Sequence, residues 1–295
     1  MPLPFPIVPT AIALALLLVP VFAFGFAGDR CIRAAQSLPA PLRIALPAAL
    51  AIPYLFIAIN SHILSPLWLL VYLLMPVLIA ALEYLAAKLD PAQRGHFIDF
   101  LVLLPLGLSV DLRWLEPAWP HKLGLFGKLT LLDAGLYAFL AIRCLSGVGY
   151  DLRLRKRDWR VGLRELLFYI PIAIPLGLAL AFLHFHRHID HPRLFIPAWI
   201  FTFVGVALPE EIFFRGWIQN LLQRRFGRTA ALLVTAVLFG LSHFNKRSTI
   251  FNWRYVLLAA IAGIFYGRAW REDQRIPASA ITHSAVDTLW GALLR

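Results

Sequence analysis

From Met1 to Gly28 the chain carries no charged side chain, and stretches almost as oily recur along its whole length. A helix that crosses the hydrocarbon of a bilayer needs roughly 20 predominantly apolar residues. Ten stretches approach or meet that length: residues 5–27, 42–60, 65–87, 97–110, 129–148, 166–185, 194–222, 230–244, 254–270 and 277–293, the fourth being short. Hydrophobic residues make up 60% of the 295 and charged residues only 15%. In lipid every backbone polar group must be satisfied inside the spanning element, which helices achieve and open sheets do not. The expected fold class is therefore all-α: a polytopic transmembrane helical bundle of about 8–10 helices around an intramembrane polar cavity.

The first run has no positive residue before it and is long, so it reads as a retained helix rather than a cleaved secretory signal. A net charge of +12 raises nucleic acid as a partner. The basic residues, however, fall in short loops with no nucleic-acid-binding motif, so the lipid bilayer with its anionic surface is the expected partner and nucleic acid is not. The most basic loop, YDLRLRKRDWR at residues 150–160 with Arg164 just beyond, belongs on the cytoplasmic side by the positive-inside rule. With ten crossings, the N-terminus would then lie outside. This basic connection, residues 149–165, separates a motif-poor region, 1–148, from a region, 166–295, that holds every polar constellation of interest. Cys31 and Cys144 are the only cysteines and form no CxxC, which excludes a disulfide framework and leaves a thiol nucleophile without a supporting motif.

Ionisable residues within spans are rare and mark functional sites, usually with a partner nearby. Three groups stand out. In LPEEIFFRGW, residues 208–217, Glu211 and Arg215 are four apart and share a helix face, so they form an ion pair. Glu210 then points about 100° away, toward a semi-dry cavity where a carboxylate serves as a general base. Pro209 is positioned to kink the segment; equally, it could start a helix whose first turn favours acids. In FGLSHF, residues 239–244, Phe239 and His243 project together, an aromatic wall beside an imidazole; a histidine at a helix end also serves simply as a cap. In THSAVDTLW, residues 282–290, His283 and Asp287 are again four apart, so the acid holds the imidazole in one orientation, for catalysis or only for structure. Three such pairs on consecutive helices would bring carboxylates, two imidazoles and a guanidinium to one site.

Taken in order, EExxxR (Glu210, Glu211, Arg215), FxxxH (Phe239, His243) and HxxxD (His283, Asp287) resemble the three motifs of the CAAX protease and bacteriocin-processing family, the glutamic intramembrane endopeptidases also called Abi proteins. The likeness covers about residues 195–293. It implies a hydrolase that needs no cofactor or metal. Glu210 with His243 would activate a water, His283 with Asp287 would serve the oxyanion, and Glu211, Arg215 and Phe239 would support the site or grip substrate. One departure stands out: many members of the family have Asn where this chain has Asp287, and an ionised aspartate cannot donate a hydrogen bond.

A cavity within the membrane implies a substrate that arrives through lipid: a prenylated protein, a leader peptide or a C-terminal sorting tail. The short loops suggest a bacterial inner membrane. Three other readings fit parts of the pattern: a non-catalytic immunity or scaffold factor, a proton-coupled transporter, and a zinc protease using His243, His283 and an acid. A transporter would show inverted repeats, which the sequence lacks. A second histidine-rich stretch, HFHRHIDH at 184–191, invites a metal reading but ends a span beside Arg187 and Arg193, as a wet interfacial connection would.

Overall fold

The computed structural model describes residues 6–185, 192–246, 248 and 250–294, and these are helical with no strand among them. Ten principal helices follow the ten apolar runs: α1 Ile7–Gln36, α2 Ala40–Asn60 (with a tightened turn at Leu46–Leu50), α3 Pro66–Leu89, α4 Phe97–Asp111 and α5 Leu125–Ile142, then α6 Lys156–Ala179, α7 Phe195–Phe226, α8 Arg228–Leu241, α9 Trp253–Asp273 and α10 Ile276–Leu293. Six of them (α1, α2, α3, α5, α6 and α7) are long and apolar enough to cross a membrane. The other four miss that standard for physical reasons. At 15 and 14 residues α4 and α8 are short; α9 ends in Arg268, Arg271, Glu272 and Asp273, and α10 carries His283 and Asp287 among small polar residues. Helix α6 begins at Lys156, so the second half of the basic connection expected at 149–165 is helical. Of the HFHRHIDH stretch, residues 186–191 lie outside the described part.

The core is mostly apolar, but the outer surface is apolar as well. Leu67, Leu104, Leu167, Ile196 and Phe201 are more than 60% exposed, while Glu83, Asp99, Glu165, Glu211 and Arg215 are fully buried. A bundle whose outer surface meets lipid has no reason to hide leucine, but must pair every charge inside.

The chain forms two compact units, Met1–Ser146 and Gly147–Arg295. In the first, Arg143 gathers Asp99 (2.8 Å) and Asp90 (2.7 Å), and Trp119 donates to the Tyr72 hydroxyl (2.6 Å) beneath the stacked ring of Tyr54. In the second, α9 packs against α6, α8 and α10, and α10 also packs against α6 and α7. The entry into α10 is fixed by Arg275, whose guanidinium binds Asp158 at 2.7 and 3.0 Å, Asp151 at 3.1 Å and the Arg153 carbonyl at 3.0 Å. Beside this latch Gly149 has a φ of +74°, and a Cβ there would lie 1.7 Å from the Gln274 carbonyl oxygen. The Gly149 carbonyl accepts from the Ile276 amide (3.0 Å), holding the start of α10 in place.

Two predictions follow from this latch. Gly149→Ala combines left-handed strain with a backbone clash, so it should cost roughly 2 kcal/mol or more; in Gly28→Ala, where the new Cβ meets nothing within 4 Å, the thermal midpoint in detergent should hold or rise slightly. Equal midpoints for the two variants would contradict the latch. Asp151 lies outside the spans; burial pushes its carboxyl up, but the Arg153 amide and the Arg275 guanidinium outweigh burial and hold it below the usual range. A group depressed in this way contributes stability above its unfolded pKa of about 4 and loses it as pH falls further. In Asp151→Asn the thermal midpoint should therefore lie below the parent's between pH 6 and 8, and the gap should close on the acid side as the parent loses this contribution.

Candidate active site

Helix α7 is one continuous rod, yet it widens into π-helical turns at Phe203–Ala207 and Ile212–Gln219, on either side of Leu208–Glu211. Pro209 has no amide hydrogen to close an ordinary turn, and wide turns commonly absorb such a defect at functional sites. The sequence left a kink or a helix start open at Pro209; the structure shows a local widening that keeps the rod unbroken and turns both glutamates toward α10.

Four helices then meet around His283. Glu211 Oε1 accepts from Arg215 at 3.1 Å and lies 2.8 Å from His283 Nδ1, and all three side chains are buried. Arg215 also donates to the Gly263 carbonyl of α9 (3.1 Å) and sits 4.6 Å above the Phe239 ring. On the other side of the imidazole, Nε2 faces Asp287 Oδ2 at 3.5 Å and Glu210 Oε2 at 3.8 Å. Tyr266 stacks on the His283 ring (centroids 4.5 Å, planes 14° apart), and Phe239 meets it edge-on at 5.5 Å.

His243 occupies a different part of the site. Its Nδ1 lies 2.9 Å from the Phe239 carbonyl oxygen, so this nitrogen donates and Nε2 is left as the acceptor. Its ring packs against Tyr255 at 4.8 Å. Sequence reasoning joined Glu210 to His243, whereas the recorded contact of Glu210 is with His283. His243, His283 and Asp287 line a cavity of about 410 Å³ with otherwise mostly apolar walls, among them Tyr169, Tyr255, Tyr266 and Trp290. Glu210 is not part of that lining; its Oε2 is buried without a hydrogen-bond partner while its side chain as a whole is 35% exposed.

The sequence reading missed Tyr266, the Gly263 carbonyl and the contact between Glu211 and His283. A Gly-x-x-Tyr-Gly pattern on α9 (Gly263, Tyr266, Gly267) was the only trace of the first two. Among the described residues, no three His, Cys, Asp or Glu side chains are arranged to hold a metal ion.

The described residues thus form an all-helical, multi-pass membrane protein with a cluster of carboxylates and imidazoles beside an apolar cavity. Residues 192–289 match the family model described as type II CAAX prenyl endopeptidase Rce1-like. That match covers the three motifs and bears out the resemblance read from them, and it supports a CAAX-type intramembrane protease in general terms. No curated protein and no solved structure gives a significant match to the chain.

Within the cluster the Glu211–Arg215 pair is the most buried. Removing one partner of such a pair typically costs 3–5 kcal/mol, because the other charge is left unpaired in a low dielectric. Glu211→Ala and Arg215→Met should each lower the thermal midpoint strongly. The double variant should lie well above the sum of the two losses. Strict additivity would show that the two charges do not depend on each other.

Proposed function

We propose that the protein is an intramembrane endopeptidase that hydrolyses a peptide bond of a membrane-associated protein or peptide by glutamate- and histidine-activated water. The observation that carries this reading is the convergence on His283: carboxylates from α7 and α10 face both of its nitrogens at the edge of a cavity that His243 also lines. The 3.8 Å between Glu210 Oε2 and His283 Nε2 is too long for a hydrogen bond and suits a bridging water.

Glu210, whose Oε2 has no protein partner, takes a proton from that water as the hydroxide adds to the scissile carbonyl carbon. In this mechanism His243, which lines the cavity, orients the water from the other side through its Nε2. The proton held by Glu210 then passes to the leaving amide nitrogen as the C–N bond breaks, so the charges balance through the cycle. Nδ1 of His283 donates to Glu211, and in this mechanism Nε2, which faces two further carboxylates, also carries a hydrogen. At 3.5 Å the Asp287 contact is loose, so the Nε2 hydrogen remains available to the developing oxyanion. In this arrangement the Asp287 carboxylate orients His283 and does not itself donate. The apolar cavity receives substrate side chains or a lipid modification, and a prenylated tail, a leader peptide and a sorting tail all suit it chemically.

Glu210→Gln and His243→Ala should each reduce cleavage by at least about 10²-fold, the usual contribution of one acid–base group, while leaving the thermal midpoint near that of the parent. Comparative membrane proteomics of parent and Glu210→Gln cells should show a precursor that accumulates uncut in the variant. Full cleavage by either variant would remove the proposed base, and identical proteomes would favour a binding or scaffold role. EDTA and phenanthroline should leave cleavage unchanged; inhibition reversed by zinc would point to the metal alternative.

A further inference from the structure

The cationic side chains at the start of α6 are of two kinds. Arg155, Arg157 and Arg164 are all paired, with Asp151 (3.2 Å), Asp273 (2.5 Å) and Glu272 (3.1 Å) respectively. Lys156 and Arg160 are exposed, lie four residues apart on one helix face, and have no ion-pair partner among the described residues. Trp159 stands between them, its ring stacked on Trp199 of α7 with centroids 5.5 Å and planes 29° apart. The two indoles wall one part of an apolar groove of about 300 Å³, completed by Phe195, Ile196, Ala285 and Leu289. One and two turns further along α6, the exposed residues are Leu163 (44%) and Leu167 (67%). Lys156, Trp159 and Arg160 occupy the first turns of α6 and the exposed leucines follow, as in a helix passing from water through the headgroup layer into hydrocarbon, which sets the groove at the boundary between headgroups and acyl chains.

We infer that this groove seats one anionic phospholipid, its phosphate held between Lys156 and Arg160 and its acyl chain laid along the Trp159–Trp199 pair. Charge complementarity selects this occupant. Two cations without an ion-pair partner among the described residues, on the helical turns that carry the groove-lining Trp159, match a net negative head joined to a hydrocarbon tail, whereas a zwitterionic lipid would bring a second cation to the same place. The groove also bears on the catalytic helix. Leu289 lines both the groove and the cavity beside His283, and Ala285 and Leu289 flank Asp287 along α10. A bound lipid therefore packs against the helix that carries two residues of the site. The assignment itself does not depend on the protease reading, because the bound lipid is measured without any cleavage assay.

The test is tryptophan quenching of the full chain in nanodiscs of phosphatidylcholine, into which phosphatidylglycerol or phosphatidylcholine brominated along its acyl chains is titrated. The nine tryptophans give a background common to both lipids, and a seated anionic lipid adds quenching at low mole fraction of the glycerol lipid alone. Half-maximal excess quenching should need roughly tenfold less brominated phosphatidylglycerol than phosphatidylcholine. That excess should vanish in Lys156→Gln/Arg160→Gln. It should shrink in Trp159→Phe, and persist in Arg94→Gln/Lys122→Gln, which removes the same charge elsewhere. Unchanged size-exclusion profiles and thermal midpoints establish that the variants are folded. Equal quenching by the two lipids, or an excess that survives the first double variant, would overturn the assignment.

Discussion

A single carboxylate oxygen, Glu211 Oε1, holds the site together. It receives the guanidinium of Arg215 and the imidazole of His283 at once, so one buried anion joins α7 to α10, while Arg215 joins both to the Gly263 carbonyl of α9. With little water nearby to screen them, these charges bind strongly to one another and are costly to separate. Glu210 is the preceding residue in the chain, and its direction is fixed by that of Glu211. The fully buried pair is thus the anchor, and the partly exposed glutamate beside it is free for chemistry.

The same economy explains where the helices leave their regular course. Helix α7 widens around Pro209, which lets two adjacent acids approach α10 from one rod. Helix α10 starts only where Arg275, Asp151, Asp158 and Gly149 fix its first turn, so the placement of His283 and Asp287 depends on a polar latch outside the hydrocarbon. The lipid groove extends this logic, because the surface of α6 and α7 that meets the headgroups also touches α10.

Much of this was legible in the sequence because membrane helices announce themselves by length and oiliness, and i,i+4 pairs by spacing. The ten apolar runs became ten helices, and Glu211 with Arg215 and His283 with Asp287 lie as close as their spacing requires. What spacing cannot give is the partner across helices. Glu211 reaches His283 over 72 residues, and Arg215 reaches a backbone carbonyl 48 residues away that any residue type could supply. Glu210 was joined to His243 for chemical reasons, and the structure sets it against His283 because α7 packs on α10 at that level. Ring stacking by Tyr266 and the pairing of Trp159 with Trp199 leave no pattern in a single sequence.

The account turns on a water held by Glu210. An experimental map at a resolution that shows ordered solvent tests it directly. The account predicts a water within about 3.2 Å of Glu210 Oε2 that also hydrogen-bonds to His283 or His243 at the mouth of the cavity. A Glu210 carboxylate turned into lipid, or closed onto a protein partner with no solvent beside it, would contradict it.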